Sequence, residues 1–390
     1  MIRVNLRSIV AGLAASVAVV SAAHAGGFDR GTADTDVLYE DGVVSRSGFV
    51  YVNPMRDRDT FSGAPSSGYE NEAYIIPSFA TKLDLAENVA CAATLTTPFG
   101  GNSNYENFTV GGTLVGFDPT SSTGTTSTEF VTREYGATCK YGMQLGKGKI
   151  SFIGGLFVQD LDYEQRVGGP GGPLSFKLKD TSLGYRMGAA YEIPEIALRA
   201  QVMYRSAVDV DATGDVSIVA SGASLGPAIG AATFPQSFEA KVQSGIAPGW
   251  LLFGSVKWTD WSVFDVLTYT TPLAAPNQTL QYYWRDGWTV SGGVAHVFSD
   301  AVAGSLSLTW DRGVGTGHDI STDTWTVAAG ASYKPHERVE IRGGVGLSYL
   351  TSGSQNYTQT SPTTFALTPN IYTSDASWAV ATSFAVKVKF

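Results

Sequence analysis

Trp378-Ala379-Val380-Ala381-Thr382-Ser383-Phe384-Ala385-Val386-Lys387-Val388-Lys389-Phe390 closes the chain, and the parity of this stretch decides how the rest is read. Counting back by twos puts Phe390, Val388, Val386, Phe384, Thr382, Val380 and Trp378 on one side, and Lys389, Lys387, Ala385, Ser383, Ala381 and Ala379 on the other. Strand side chains alternate between faces, so this is a strand with one apolar face and one that tolerates ammonium groups. A transmembrane strand between lipid and a polar lumen has that form, and so does a strand of a soluble sandwich.

The other end of the chain points to export. Arg3 and Arg7, the apolar run from Ile9 to Val20 and the small-x-small site Ala23-His24-Ala25 predict a secretory signal peptide over residues 1–25. No later stretch offers about 20 consecutive apolar residues, so any membrane crossing is expected to use strands. Aromatic residues make up 12% of the chain and charged residues only 16%, a low charge content that suits a barrel. Without Arg3 and Arg7 the 26 basic residues fall to 24 against 35 acidic ones, a net charge of −11, which argues against nucleic acid as a partner. Of the two cysteines, Cys91 shares a face with Val89, Ala93 and Leu95, and Cys139 with Tyr135, Ala137 and Tyr141. Both are expected on the lipid face as unpaired small apolar residues, a cross-strand disulfide being allowed in an oxidising periplasm.

From about residue 72 the chain alternates strand-like segments with connections that are short and long by turns. Short ones are 85–88, 146–148, 193–195, 247–249, 299–300 and 334–337; long ones are roughly 101–127, 162–176, 213–234, 268–280, 312–320 and 352–375. Short periplasmic turns opposite long outer loops are the bacterial outer-membrane pattern. Thirteen segments are evident, and since such barrels close with even numbers a short fourteenth is expected first, around Arg58 to Ala64. Trp258, Trp261, Trp284, Trp288, Trp310, Trp325, Tyr349 and Trp378 lie near strand ends, as interfacial girdles require. The fold expected is therefore all-β, a fourteen-stranded antiparallel transmembrane barrel over residues 58–390. Residues 26–57 lack barrel-length alternation but carry Phe28, Leu38, Tyr39, Phe49, Tyr51 and Val52, which favours a small plug in the lumen over a disordered tail.

Thr97-Pro98-Phe99-Gly100 ends the strand that starts at Asn88. Pro98 donates no N–H and Gly100 weakens pairing, so the segment either stops the strand at the outer rim or interrupts the ladder within the wall. An interruption is tolerated only where protein or a cavity covers it. Parity also nominates lumen-facing cations. Lys257 shares a face with Leu251, Phe253 and Ser255, and Arg285 falls on the inward side of the segment near 281–298 with Thr289 and Ser291. Either cation could hold a carboxylate, or could simply pair with a lumen acid such as Glu340.

Phe234-Pro235-Gln236-Ser237-Phe238-Glu239, Ala247-Pro248-Gly249-Trp250 and Trp258-Thr259-Asp260-Trp261-Ser262-Val263-Phe264 together resemble a strand, turn and strand ending in W-S-x-F of the FadL-type outer-membrane transporters. Tyr204-Arg205-Ser206, Trp284-Arg285-Asp286-Gly287-Trp288, Asn53-Pro54, Gly27-Phe28 and the terminal Phe390 extend the resemblance over nearly the whole mature chain. It implies an outer-membrane transporter for long-chain fatty acids or other hydrophobic compounds such as hydrocarbons, and no enzyme. It also implies an N-terminal hatch containing Asn53 and Pro54, a gap where the third strand kinks at Pro98, Phe99 and Gly100, and Phe28 at the binding pocket. Lys257, Phe253 and Arg285 would line that pocket. Outer-membrane lipids, lipopolysaccharide and the barrel assembly machinery would be its other partners, with no cofactor or metal. The segment from Asp162 to Phe176 is short for the family's third outer loop, and Met55 stands where a small residue is usual.

A general diffusion porin is the alternative function. An outer-membrane lipase is the third, since Gly222-Ala223-Ser224-Leu225-Gly226 matches G-x-S-x-G, but a nucleophile elbow needs a strand-turn-helix setting. His296, His318 and His336 have no partner at metal spacing. The Asp209-x-Asp211 run begins like a calcium loop but has Ala220 where a bidentate Glu is required.

Overall fold

A computed structural model describes residues 26–390 apart from 70, 122, 169–171, 265, 271–277 and 362–363. The expected signal peptide therefore lies outside the described residues. Fourteen antiparallel strands close into a barrel. The wall runs β1 Val44–Met55, β2 Tyr74–Ala86, β3 in two pieces (Val89–Thr96 and Gly100–Asn104), β4 Thr125–Leu145, β5 Gly148–Val167 and β6 Leu174–Ile193. Next come β7 (Leu198–Arg205 and Val208–Ile218), β8 (Ser224–Phe234 and Ser237–Ala247), β9 (Trp250–Thr259 and Val266–Thr270) and β10 (Gln278–Gln281 and Gly287–Val297). It ends with β11 Val302–Asp311, β12 Thr324–His336, β13 Val339–Leu350 and β14 Ser377–Lys389. The closing strand has the predicted polarity. Trp378, Val380 and Phe384 are exposed on the outside and Ala379 and Ala381 are buried inside, while β14 pairs with β13 and, from Met55↔Trp378 to Val44↔Lys389, with β1.

The first wall strand is β1, at Val44–Met55, and not the stretch around Arg58 to Ala64. Thr60–Phe61 instead belongs to a sheet of outer loops, paired with Tyr372 and Thr373. The boundary between plug and barrel at residue 57 is corrected accordingly, and Asn53 and Pro54 sit in the wall opposite Val380 and Ala379. The reason lies in the side chains of β1. Its inner face carries Val44, Arg46, Val50 and Val52, its outer face begins with Ser45 and Ser47, and Arg46 is masked as a core residue by its partners Asp34 and Glu40. Phe49, Tyr51 and Met55 are exposed on the outside further along, so the inversion is confined to the lower end, where it hides the alternation.

Outside, an apolar belt of residues such as Leu156, Leu183 and Val345 is bounded by aromatic pairs in register. Trp258 faces Trp288, Trp310 faces Trp325 and Tyr349 faces Trp378 across neighbouring strands. Trp261 and Trp284 are not part of this girdle: both are buried inside the barrel. Cys91 and Cys139 sit on the outer face as expected but form a disulfide, because the β3–β4 register places them directly opposite one another.

Residues 26–43 add no strand to the wall. They run inside it, where a 3₁₀ turn at Thr35–Tyr39 packs Val37 and Leu38 against Ala80, Ala90 and Ala92, small inward residues that leave room for it. Lys82 Nζ donates to the Glu40 and Gly42 carbonyls at 2.8 and 3.0 Å. Arg46 bonds Asp34 at 2.9 Å and Glu40 at 2.5 Å, and Lys387 bonds Glu40 at 3.1 Å and Glu340 at 2.8 Å. Buried charges are stable only when paired in this way. The lower lumen is thus charged and ion-paired, whereas the upper lumen is apolar.

Candidate functional site

Several strands break at a common level. β7 breaks at Ser206-Ala207, β8 at Pro235-Gln236, β9 after Thr259 and β10 before Gly287, and β3 breaks at Thr97-Pro98-Phe99. In β9 the break is the W-S-x-F block itself: Trp261–Val263 forms a 3₁₀ turn that directs Trp261 and Phe264 inward. Leaving the ladder frees these side chains from strict alternation, and an aromatic floor results. Phe28 lies at its centre, with ring centroids 4.7 Å from both Phe130 and Trp284, 5.6 Å from Phe264 and 5.7 Å from Tyr282. Edge-to-face contacts of this kind add about 0.5–1.5 kcal/mol each beyond area burial.

Above the floor is a cavity of about 470 Å³, within the roughly 300–1,000 Å³ typical of small-molecule sites. Leu161, Leu178, Val210, Ala212, Ala228 and Phe234 make apolar sides. The roof, formed by the outer loops, is polar. Arg56 bonds Ser374, Thr322 and the Thr351 carbonyl, and Arg58 lies between the rings of Tyr69 and Tyr372. Asp319 accepts from Trp284 Nε1 at 3.0 Å, and burial pushes its carboxyl up to about 6. The cavity therefore suits a molecule with a long apolar body, with or without a polar end.

The wall is open beside this floor. The β2–β3 ladder ends at Phe79↔Leu95, so Tyr74–Ser78 of β2 pairs with β1 alone, and the upper piece of β3, Gly100–Asn104, pairs only with β4. Asn102 Nδ2 bonds the Glu72 carbonyl at 3.1 Å and bounds the gap above. The backbone groups that β2 leaves unpaired are met from within. Arg30 N–H donates to the Pro98 carbonyl at 2.8 Å, Gly31 N–H to the Thr97 carbonyl at 2.9 Å, and Gly100 N–H to the Phe28 carbonyl at 3.0 Å. Pro98 thus interrupts the ladder inside the wall and does not end the strand at the rim. Phe99 turns into the lumen and stacks on Phe234 at 4.9 Å.

The other nominated residues divide. Lys257 is buried and pairs with Asp29 of the N-terminal segment at 3.1 Å, not with Glu340. Phe253 faces inward but packs with Leu251 and Ala295 in the lower lumen, away from the cavity. Arg285 is exposed and its Nε donates to the Gly313 carbonyl, because it lies in the break between the two pieces of β10, where strand parity does not apply; its neighbour Trp284 points into the cavity instead. Pro54 lines the cavity from β1 and Asn53 does not. Trp261, Phe264, Tyr282, Phe130, Arg30 and Asp319 were not nominated. All but Phe130 sit on irregular backbone, where periodicity carries no signal. Ser224 is exposed at the start of a strand with its Oγ 2.6 Å from Asp215, a setting without the helix that a nucleophile elbow requires.

A closed fourteen-stranded barrel with a girdled apolar belt, an internal amphipathic cavity and a side gap has the architecture of a transmembrane β-barrel. Residues 172–303 are similar to the family model described as outer membrane protein transport protein (OMPP1/FadL/TodX). The chain's fold is similar to that of a FadL homologue of Pseudomonas aeruginosa (TM-score 0.70, 14% identity, 91% of this chain and 92% of that one). The toluene transporter TodX of Pseudomonas putida is similar too (0.62, 14%, 96% and 100%), as is the toluene transporter TbuX of Ralstonia pickettii (0.60, 15%, 96% and 97%). At such identities the likeness is one of fold. No curated protein matches the chain by sequence.

Proposed function

We propose that this barrel takes up hydrophobic compounds, long-chain fatty acids or comparably sized hydrocarbons, and releases them sideways into the membrane through the gap between β2 and β3. Residues 26–43 act as the hatch. The observation that carries this reading is that the hatch completes the wall: the backbone bonds of residues 28–31 to residues 97–100 fill the interrupted ladder, and the same segment brings Phe28 to the cavity floor. Cargo that displaces Phe28 strains those bonds, which couples binding to opening. The test is to replace Thr97-Pro98-Phe99-Gly100 by Val-Thr-Val-Thr, so that β3 can pair with β2 without interruption. Uptake of labelled fatty acid or toluene by cells carrying the variant should fall to background while the barrel still folds, as judged by its heat-dependent gel shift. Undiminished uptake would rule out the lateral route. Large ion conductance of the wild type in planar bilayers would favour the porin alternative.

A further inference from the structure

Eight arginines and lysines are buried among the described residues: Arg30, Arg46, Arg56, Lys82, Arg186, Arg199, Lys257 and Arg342. Seven have oxygen partners. Arg46 has Asp34 and Glu40, Arg56 three neutral oxygens, Lys82 two carbonyls, Arg186 Glu134, Arg199 Asp36, Lys257 Asp29 and Arg342 Glu340. Arg30 is the exception. Its side chain has no hydrogen-bond acceptor among the described residues, the Glu129 carboxylate acting on it only through space, and its Nε is buried without a partner. Its guanidinium instead lies 3.9 Å over the ring of Tyr74 and against Gly100, where an added Cβ would come within 2.6 Å of Arg30 Cζ. Tyr74 belongs to one lip of the wall gap and Gly100 to the other. The same side chain lines the apolar cavity.

A guanidinium presents five donors and keeps its charge. A cation–π contact satisfies the charge but none of those N–H groups, so the buried Nε–H leaves a donor to offer an oxyanion. We infer that Arg30 is a headgroup-reading latch: clasped between the two lips of the gap, it exchanges Tyr74 and Gly100 for the anionic end of an amphipathic cargo coming from the cavity. Gly100 has room for this role because any side chain there would occupy the guanidinium's seat. The inference rests on the proposed passage from cavity to gap and adds to it a selectivity for charge, which an aromatic floor alone would not give.

The test compares octanoate with 1-octanol, two probes of one chain length. Binding is read from tryptophan fluorescence of the full barrel in lipid nanodiscs, since Trp261 and Trp284 line the floor. Wild type should favour octanoate at least tenfold. Arg30→Met should erase that preference by weakening octanoate alone, and Arg30→Lys should restore part of it. Tyr74→Leu should strengthen octanoate binding several-fold, because no ring contact has to be given up. Equal binding of the two probes by wild type, a parallel loss of both in Arg30→Met, or weaker octanoate binding in Tyr74→Leu would each overturn the inference. Because binding is measured without transport, a preference that persists in a barrel whose uptake survives straightening of β3 would count against the lateral route and leave the headgroup role of Arg30 standing.

Discussion

Replacing Gly101 by alanine should loosen the hatch without touching the barrel. A Cβ at this position would meet Phe28 Cδ1 and Cε1 at 2.8 Å and Phe130 Cε1 at 3.0 Å. The Phe28 ring cannot swing aside, because Trp261, Phe264, Tyr282 and Trp284 enclose it. Overpacking of this kind costs about 1–3 kcal/mol, and here most of it falls on the closed position, since the two tightest contacts vanish once Phe28 leaves and only the 3.0 Å approach to Phe130 remains. The open population should therefore rise about 5- to 150-fold. Hydrogen–deuterium exchange of a peptide spanning residues 28–33 reads this directly, because the Arg30 and Gly31 amides bond Pro98 and Thr97 only while the hatch is seated. Exchange there should accelerate by that factor, with the β13 and β14 amides unchanged. Unaltered exchange at Arg30 and Gly31, or equal acceleration around the whole barrel, would refute the idea that Phe28 packing holds the hatch.

Glu134 accepts from both Arg186 and Arg205, so Glu134→Leu strands the buried Arg186 guanidinium and should cost about 3–5 kcal/mol, seen as a lowered urea midpoint in lipid vesicles. Removing the Cys91–Cys139 bridge, which spans 48 residues, should cost about 2–4 kcal/mol in the same assay while leaving uptake intact. Asp319 sits in an outer loop with its carboxyl raised by burial to about 6 from the usual 3.8. A raised acid favours the packed loop fully below its unpacked value and less as pH climbs through about 6. Proteolysis of the 312–323 loop should therefore be slower at pH 5 than at pH 8, and Asp319→Asn should abolish the difference.

The barrel was legible wherever outward residues are apolar and inward ones small or polar, as in β14, and the alternation of short and long connections located most turns. It failed at β1, where outward Ser45 and Ser47 and inward Val44 reverse the usual polarity at the lower end although Phe49, Tyr51 and Met55 face outward above, so that a wall strand read as plug. The site was legible only in part. Pro98 and Gly100 announced a broken ladder through their own chemistry, and Phe28 came from family likeness. Arg285 and Trp284 show why the rest was lost: one residue beyond a strand end, parity no longer says which of two neighbours points inward. The cysteine pairing depended on register across a long loop, which neither cysteine's surroundings encode.

The two halves of the N-terminal segment are held very differently. Residues 34–42 are tied to β1, β2 and β14 through Asp34, Glu40 and Lys82 and are wedged by Val37 and Leu38, whereas residues 28–31 rest on three backbone bonds, the ring of Phe28 and the Asp29–Lys257 pair. Such a segment works as a flap hinged at its lower end rather than a stopper that can be pulled out. Under the proposed side route, oily molecules would pass through the wall while the route straight down stays corked, which would keep out the water-soluble antibiotics that open porins let in.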